Sequence, residues 1–584
     1  MFRRLTQLLQ ALGVLAFAAT LTAPVTWADS SLARLKNCAP FDWCTYHRTY
    51  DGQRHSPLKQ ITAENVSALR PAWIFQPGNV RQGLQSTPLA IDGKVYVATN
   101  VSRVWKLDGE TGKREWVYSP ELNEAVVTRS FFAHTRGMTL GDGRVYMGTA
   151  DGRVVALSMD NGSVLWENQV VNSEKESAGF SGAGTFAGDV LVIGQNGGEY
   201  PVEGKVFGLD PATGQLKWTF YTTGRDDAEA LKTWGGDSWM YGGGGSWQPG
   251  SVDWENNQII LGTGNPNPDY DWGGKDWRTT GQRPGINLYT SSTVALNLKT
   301  GKVNWYFSEA PHDPYDYDAA PGEYVLIEKD GRKIVLHPGK NGFNHVHDRK
   351  TGEVLAVYPD TKNYNWTTGY NKATGEWENM LFPEEGVKTL VCPAIDGGHS
   401  WNAGSYNPNT GMFYRLTQEW CMWLTVNREG RITEPVAQPL FAAEFTNEKP
   451  ADPNNKSQPG SEKQHGWLTA REPVSGSLAW EKRYSVIPHS ALLTTGSNLL
   501  FVGTATGELQ ALDAANGNEL WSFNNGSSHN GGIISYAAGG KQFIAAATGH
   551  GSYVGYGTAS LFPDEMKGYA DSAALVVYSL PFKK

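Results

Sequence analysis

The sequence predicts an all-β fold built from repeated four-stranded sheets, and three observations carry that prediction. The first is a turn motif that recurs along the chain: a small polar residue, Gly four positions later, and Trp four positions after that. It reads Asp108…Thr111-Gly112…Trp116, then Ser158…Asn161-Gly162…Trp166, Asp210…Thr213-Gly214…Trp218 and Asn297…Thr300-Gly301…Trp305. It returns as Glu472…Ser475-Gly476…Trp480 and Asp513…Asn516-Gly517…Trp521, with a weaker copy, Asp348…Thr351-Gly352, that has lost its Trp. The second is composition: 584 residues hold 68 Gly and 22 Trp, with Gly concentrated in turn pairs, which argues for many short strands and against disorder. The third is an alternation of strand types, such as Gly93-Lys-Val-Tyr-Val-Ala followed by Arg103-Val-Trp-Lys-Leu. A repeat of roughly 50 residues then supplies four strands, which is one blade of a β-propeller. In each copy Gly provides the positive φ of a tight turn and Trp docks on the next unit.

From the N-terminus, Met1-Phe-Arg-Arg leads into an apolar run from Ala11 to Leu21 and then Thr26-Trp-Ala28. This reads as a secretory signal over residues 1–28, cut after Ala28; the apolar run is too short for a comfortable membrane span. Residues 29–584 then form one propeller domain, since repeats pack on their neighbours whatever the chain length. Phe41 to Trp73 reads as a lead-in segment with a short helix over Thr62–Leu69. Blades follow from Gln85 onward. The 87-residue interval from Trp218 to Trp305 and the longer one from Trp305 to Trp480 must hold insertions or degenerate blades. Thr222–Gly285 is the candidate functional loop, and Glu444–His465 reads as a surface excursion.

The formal charge of −9 falls to about −11 without the two signal arginines, which disfavours nucleic acid and suits a basic protein partner. No later segment approaches a membrane span. Four cysteines in an exported chain suggest disulfides, and the short loops favour Cys38 with Cys44 and Cys392 with Cys421. There is no Cys-x-x-Cys-His, hence no signature for covalent haem.

Four segments set acidic and amide residues among Gly and Pro: Gln195-Asn-Gly197-Gly198-Glu199, Gly264-Asn265-Pro266, Pro311-His-Asp-Pro-Tyr-Asp316-Tyr-Asp318 and Lys340-Asn341-Gly342. Glu199, Asn265, Asp316 and Asp318 together could give an oxygen cage for a hard cation. Taken singly, each reads more simply as a polar turn.

Together these segments resemble the quinoprotein alcohol dehydrogenases, the methanol and ethanol dehydrogenases that use pyrroloquinoline quinone (PQQ). The resemblance runs from Arg54-His-Ser-Pro-Leu-Lys-Gln-Ile61 to the last Gly-Trp blade. It implies an eight-bladed propeller with PQQ on its axis beside one metal ion. It implies Glu199 and Asn265 as metal ligands and Asp316 as the catalytic base near the metal. Trp247 is then the floor under the quinone, with Gln85, Arg136, Ser181, Gly197, Gly198, Lys340 and Asn341 as further cofactor contacts. Asp318, two residues after the base, is acidic in family members that use lanthanides and neutral in calcium members, so the resemblance points to a lanthanide ahead of Ca²⁺. It also implies an alcohol substrate, hydride transfer to PQQ, a separate cytochrome c acceptor, a periplasmic location and no integral membrane segment; a homodimer is compatible with it.

The chain departs from the family pattern in places. Ser130-Phe131 stands where the family has adjacent cysteines, Gln85 where it has Glu, Ser400 where it has Asn and Pro488 where it has Trp. These changes touch the substrate pocket more than the metal cage. Two alternatives stay open on sequence alone: a non-catalytic propeller scaffold of envelope assembly, and a quinoprotein whose site has decayed.

Overall fold

The computed structural model describes residues 30–78, 82–123, 134–428, 443–446, 463–569 and 572–581. The expected signal over 1–28, the Ser130-Phe131 pair and most of the Glu444–His465 excursion lie outside the described residues.

The all-β expectation holds. Among the described residues the strands group into seven four-stranded sheets and one of five, with a three-stranded sheet and a two-stranded hairpin besides. A typical sheet pairs Leu89–Ile91, Lys94–Thr99, Arg103–Asp108 and Arg114–Tyr118 as antiparallel neighbours in chain order. Inner strands are buried on both faces, as in Gln258–Gly262, while the outermost strand Val164–Gln169 is largely exposed. That gradient explains the near-continuous apolar runs of the inner strands. One sheet joins the ends of the chain: Arg70–Phe75 pairs with Ala573–Ser579, beside Lys541–Gly549 and His529–Ala538. The lead-in segment therefore ends in a strand that completes the last sheet. Its expected helix over Thr62–Leu69 shrinks to a single 3₁₀ turn at Val66–Ala68, because Arg70–Phe75 draws the chain into the sheet.

The recurring motif explains how the sheets join. Asp108 Oδ1 accepts from the Thr111 backbone N–H and hydroxyl, and Gly112 closes the turn at φ +71°. In five of the six copies that keep it, the Trp then reaches into the next one. Trp116 Nε1 donates to Met159 O at 3.1 Å, Trp166 to Pro211 O at 3.1 Å, Trp218 to Leu298 O at 3.0 Å and Trp480 to Ala514 O at 3.0 Å. The Gly of the following copy lies flat on that ring: a Cβ on Gly301 would stand 2.4 Å from the Trp218 indole, and one on Gly162 2.7 Å from Trp116. Glycine is required here twice over, for its φ and for the close approach. The copy that lost its Trp is repaired two residues on. Tyr358 donates to Pro473 O at 2.9 Å, and Gly476 covers its ring.

The long intervals hold insertions as well as a complete sheet. Between Trp305 and Trp480 lie the sheet Val325–Pro359, the hairpin Gly369–Asn371 with Glu376–Glu378, and a three-stranded sheet that includes Thr389–Val391 and Met422–Val426. Both expected disulfides are present, Cys38–Cys44 and Cys392–Cys421. Among the described residues no helix is long and apolar enough to cross a membrane.

Replacing Trp218 by Ala removes a buried indole and its bond to Leu298. Large-to-small changes at such sites cost about 3–5 kcal/mol, so Trp218→Ala should lower the urea midpoint of unfolding clearly. A midpoint within error of the wild type would remove the docking role.

Candidate active site

The chemistry-bearing loop is Pro311–Asp318, and its sequence explains its shape. Tyr315 and Tyr317 are fully buried against Trp366, so the alternating acids Asp316 and Asp318 turn the other way. Asp313 ties the loop together by accepting from the backbone N–H groups of Tyr315 and Tyr317. Arg283 donates to the carbonyls of His312 and Asp313. Three non-glycine residues here, His312, Asp313 and Asp316, have positive φ, with Asp316 at +65°. Backbone in that region is held only where surrounding structure dictates it, and Asp313 and Arg283 do so.

Other segments converge on the same place. Asp318 links two of them: its Oδ2 accepts from Trp247 Nε1 at 2.9 Å and its Oδ1 from the Asn265 backbone N–H at 2.9 Å. Glycines allow the close stacking of these turns; a Cβ on Gly198 would stand 2.6 Å from Asn265 Oδ1. The outcome is a cavity whose walls include Arg136, Glu199, Trp247, Asp316, Asp318 and Lys340.

Six sequence-derived site residues therefore share one cavity. Asn265 stands just behind it, fully buried, with Oδ1 lacking a hydrogen-bond partner and Nδ2 donating to Asp269 at 2.6 Å. Gln85 and Ser181 are buried, with Gln85 Oε1 and Ser181 Oγ also unpartnered. Gly197 takes φ +104° and Gly198 packs on Asn265. The Asn341 side chain turns into the fold, where Nδ2 donates to Glu309 O and Oδ1 accepts from Phe343 N, and its carbonyl accepts from Trp366 Nε1 at 2.8 Å. Ser400 lines the cavity.

Two carboxylates of the region went unnoticed in the sequence. Asp269 hides in an Asn-Pro-Asn-Pro-Asp run, and Asp396 in an Ile-Asp-Gly-Gly turn that reads as an ordinary surface reversal. Trp401 was also missed; the Arg136 guanidinium lies 4.5 Å from the Trp247 ring and 5.0 Å from that of Trp401.

The electrostatics are strained. Burial and the Asp318 charge push the Glu199 carboxyl up to about 7. Burial likewise raises Asp316 and Asp269 far above the usual carboxylate range, each opposed by Lys340. Lys340 Nζ stands 2.9 Å from Asp316 Oδ1; burial works against its charge, but Asp316 and Asp318 outweigh that and raise its pKa. Burial lowers the Arg136 guanidinium to about 10. Among the described residues no three His, Cys, Asp or Glu side chains close into a finished metal cage. The oxygens stand on the cavity walls instead, with Asp316 drawn to Lys340 and Asp318 to Trp247 and Asn265.

The donor set fits a hard cation, since carboxylate and amide oxygens are the ligands such ions take. It also fits a flat polycarboxylate, for which an indole face and two cations are suitable partners. The unpartnered Asn265 Oδ1, Ser181 Oγ and Gln85 Oε1 are buried polar atoms of the kind a ligand satisfies.

Comparison with known proteins shows the family and the fold. The family profile for the PQQ-dependent glucose/ethanol/alcohol dehydrogenase β-propeller domain matches residues 43–362 and 366–544. The quinoprotein alcohol dehydrogenase PedH of Pseudomonas putida is 34% identical over 530 residues, covering 86% of this chain and 85% of its own. The quinoprotein ethanol dehydrogenase of Pseudomonas aeruginosa is 32% identical over 588 residues, covering 92% of this chain and 90% of its own. Among solved structures, the quinohemoprotein alcohol dehydrogenase ADHIIG of Pseudomonas putida superposes with a TM-score of 0.85 at 31% identity, over 95% of this chain and 83% of its own. A europium-containing methanol dehydrogenase superposes with a TM-score of 0.85 at 26% identity, over 94% of this chain and 100% of its own.

Behind Lys340-Asn341 lies a buried polar core. Glu309 stands 3.4 Å from His337 Nε2 and 3.6 Å from His345 Nε2, and accepts from the Thr293 hydroxyl. Burial raises Glu309 to about 8 and lowers His337 to about 3. An acid raised from the ordinary 4.5 to about 8 keeps its proton in the folded state while the unfolded chain ionises. Its effect is therefore a loss of stability as pH rises between those two values, absent below and constant above. Glu309→Gln should abolish that component: denaturant unfolding at pH 5 and pH 8 should show the variant gaining on the wild type at pH 8. An equal difference at both pH values would contradict the buried neutral carboxyl.

Proposed function

Because the chain belongs to the quinoprotein alcohol dehydrogenases, the PQQ-dependent β-propeller enzymes, we propose that it oxidises an alcohol to the aldehyde or ketone in the cavity walled by Trp247, Glu199 and Asp316. The observation that carries this reading is that Asp316 and Trp247, far apart in sequence and linked through Asp318, face one cavity with two cations, Arg136 and Lys340, and the further acids Glu199, Asp318 and Asp396.

PQQ, when bound, supplies the hydride acceptor, and its metal ion supplies Lewis acidity. The chain supplies the rest. The Trp247 indole offers the floor, while Arg136 and Lys340 offer positive charge to carboxylates. Gln85, Ser181 and the Gly197-Gly198 turn stand as further contacts, with the Asn341 backbone beside Lys340. Glu199, Asn265 Oδ1, Asp316 and Asp318 offer the metal its oxygens. Asp316 takes the substrate hydroxyl proton, and the Lys340 charge beside it favours its anionic form. The eight sheets are read as eight blades of a single domain over 29–584. Two disulfides and the signal-like N-terminus support export to the periplasm. The acidic net charge suits a basic cytochrome c as electron acceptor.

For the metal we favour a lanthanide over Ca²⁺. Asp318 adds a third carboxylate, and ligand charge count governs affinity among hard cations. The europium-containing methanol dehydrogenase, close in fold, supports that choice.

Asp316→Asn should reduce kcat by about 10²–10⁴-fold with the absorbance of bound PQQ unchanged; full turnover would remove Asp316 from the base role. Protein reconstituted with PQQ should reduce a dye faster with La³⁺ than with Ca²⁺, and Asp318→Ala should erase that preference. Full activity with Ca²⁺ and none with La³⁺ would reject the lanthanide.

A further inference from the structure

One acid in the cavity has no place in the chemistry described above. Asp396 is 4% exposed and lines the cavity with Ile395, Trp401, Pro321 and Val554. Its Oδ2 has no hydrogen-bond partner. The helix Ser552–Leu561 passes over it with a glycine: a Cβ on Gly557 would stand 2.8 Å from that Oδ2 and 2.7 Å from the Trp420 ring. At Gly557 the helix therefore offers that oxygen no side-chain partner. Burial raises the Asp396 carboxyl to about 7, and Lys340, which pairs with Asp316, is the cation that opposes the rise.

We propose that Asp396 is a specificity residue, the acceptor for a second hydrogen-bond donor on the substrate, so that the preferred alcohols carry a hydroxyl or an ammonium remote from the carbon being oxidised. The inference rests on the alcohol oxidation proposed above. A simple alkanol entering this wall displaces water and leaves a buried acceptor unpaired, whereas a diol or amino alcohol pairs it. Sites that bury an acceptor discriminate strongly against the analogue that lacks the donor, by factors well above those available from apolar contact alone. Ile395, Pro321 and Val554 give the intervening carbon chain an apolar path.

The test is a comparison of kcat/KM across 1-alkanols, α,ω-diols and ω-amino alcohols of three to six carbons, with enzyme loaded with PQQ and metal. The wild type should favour the best diol or amino alcohol over the matched alkanol by at least about tenfold. Asp396→Leu should lower that ratio at least tenfold, chiefly through the KM of the bifunctional substrate. Asp396→Asn, nearly identical in shape, keeps an acceptor oxygen but no charge. It should spare diols relative to amino alcohols if the natural group is an ammonium, and affect both equally if it is a hydroxyl. The same ratio in the wild type and both variants, with alkanols oxidised, would overturn the role of Asp396. A loaded wild type that oxidises no alcohol would overturn the proposed function and this inference with it.

Discussion

The mutual repulsion of buried carboxylates at Glu199, Asp269, Asp316 and Asp318 is the interaction on which the site depends. Such groups are rarely buried without counter-charges, and here Lys340 and Arg136 are too few to neutralise them. Glu199, Asp269 and Asp316 all bind protons more tightly than ordinary acids, each with burial as the leading cause. A cation bound among them would relieve that repulsion, a trivalent ion more than a divalent one. The same repulsion explains why Asp318 is pinned from two sides, by an indole N–H and a backbone N–H.

The ring of sheets provides the rigidity that holds these groups together. Five of the six Trp residues of the turn motif are gripped between a carbonyl and a glycine of the next copy, which resists sliding of one sheet on its neighbour. The functional loops join strands of several sheets and meet in the cavity. Their glycines bring backbones close enough to stack, as with Gly198 on Asn265, and Arg283 with Asp313 fixes the loop that puts Asp316 in a left-handed conformation.

What was legible in the sequence follows from locality. The sheet-forming turns were visible because Asp108 to Trp116 and its copies encode the turn and its docking ring within nine residues. Both disulfides were visible because their loops are short. Glu199, Trp247 and Asp316 could be placed through resemblance to a family, and they do line one cavity. Tyr358 was not legible as a substitute for the missing Trp, since the replacement is offset by two residues and is recognised only by its bond to Pro473. In the sequence Trp73 reads as the end of a lead-in segment because its partner strand lies some 500 residues away, at Ala573–Ser579. Asp269 and Asp396 sit in turn sequences where acids are usually solvated, and only the tertiary fold buries them. Asn341 carried the motif, yet its amide serves its own turn and Glu309.

The central claim is that these carboxylates gather around one cation beside a quinone lying on Trp247. Anomalous diffraction at a lanthanide edge, from crystals grown with PQQ and that lanthanide, tests it directly. The account predicts one strong peak within bonding distance of Glu199, Asn265, Asp316 and Asp318 side-chain oxygens. A peak elsewhere, or none between Glu199 and Asp316, would contradict it.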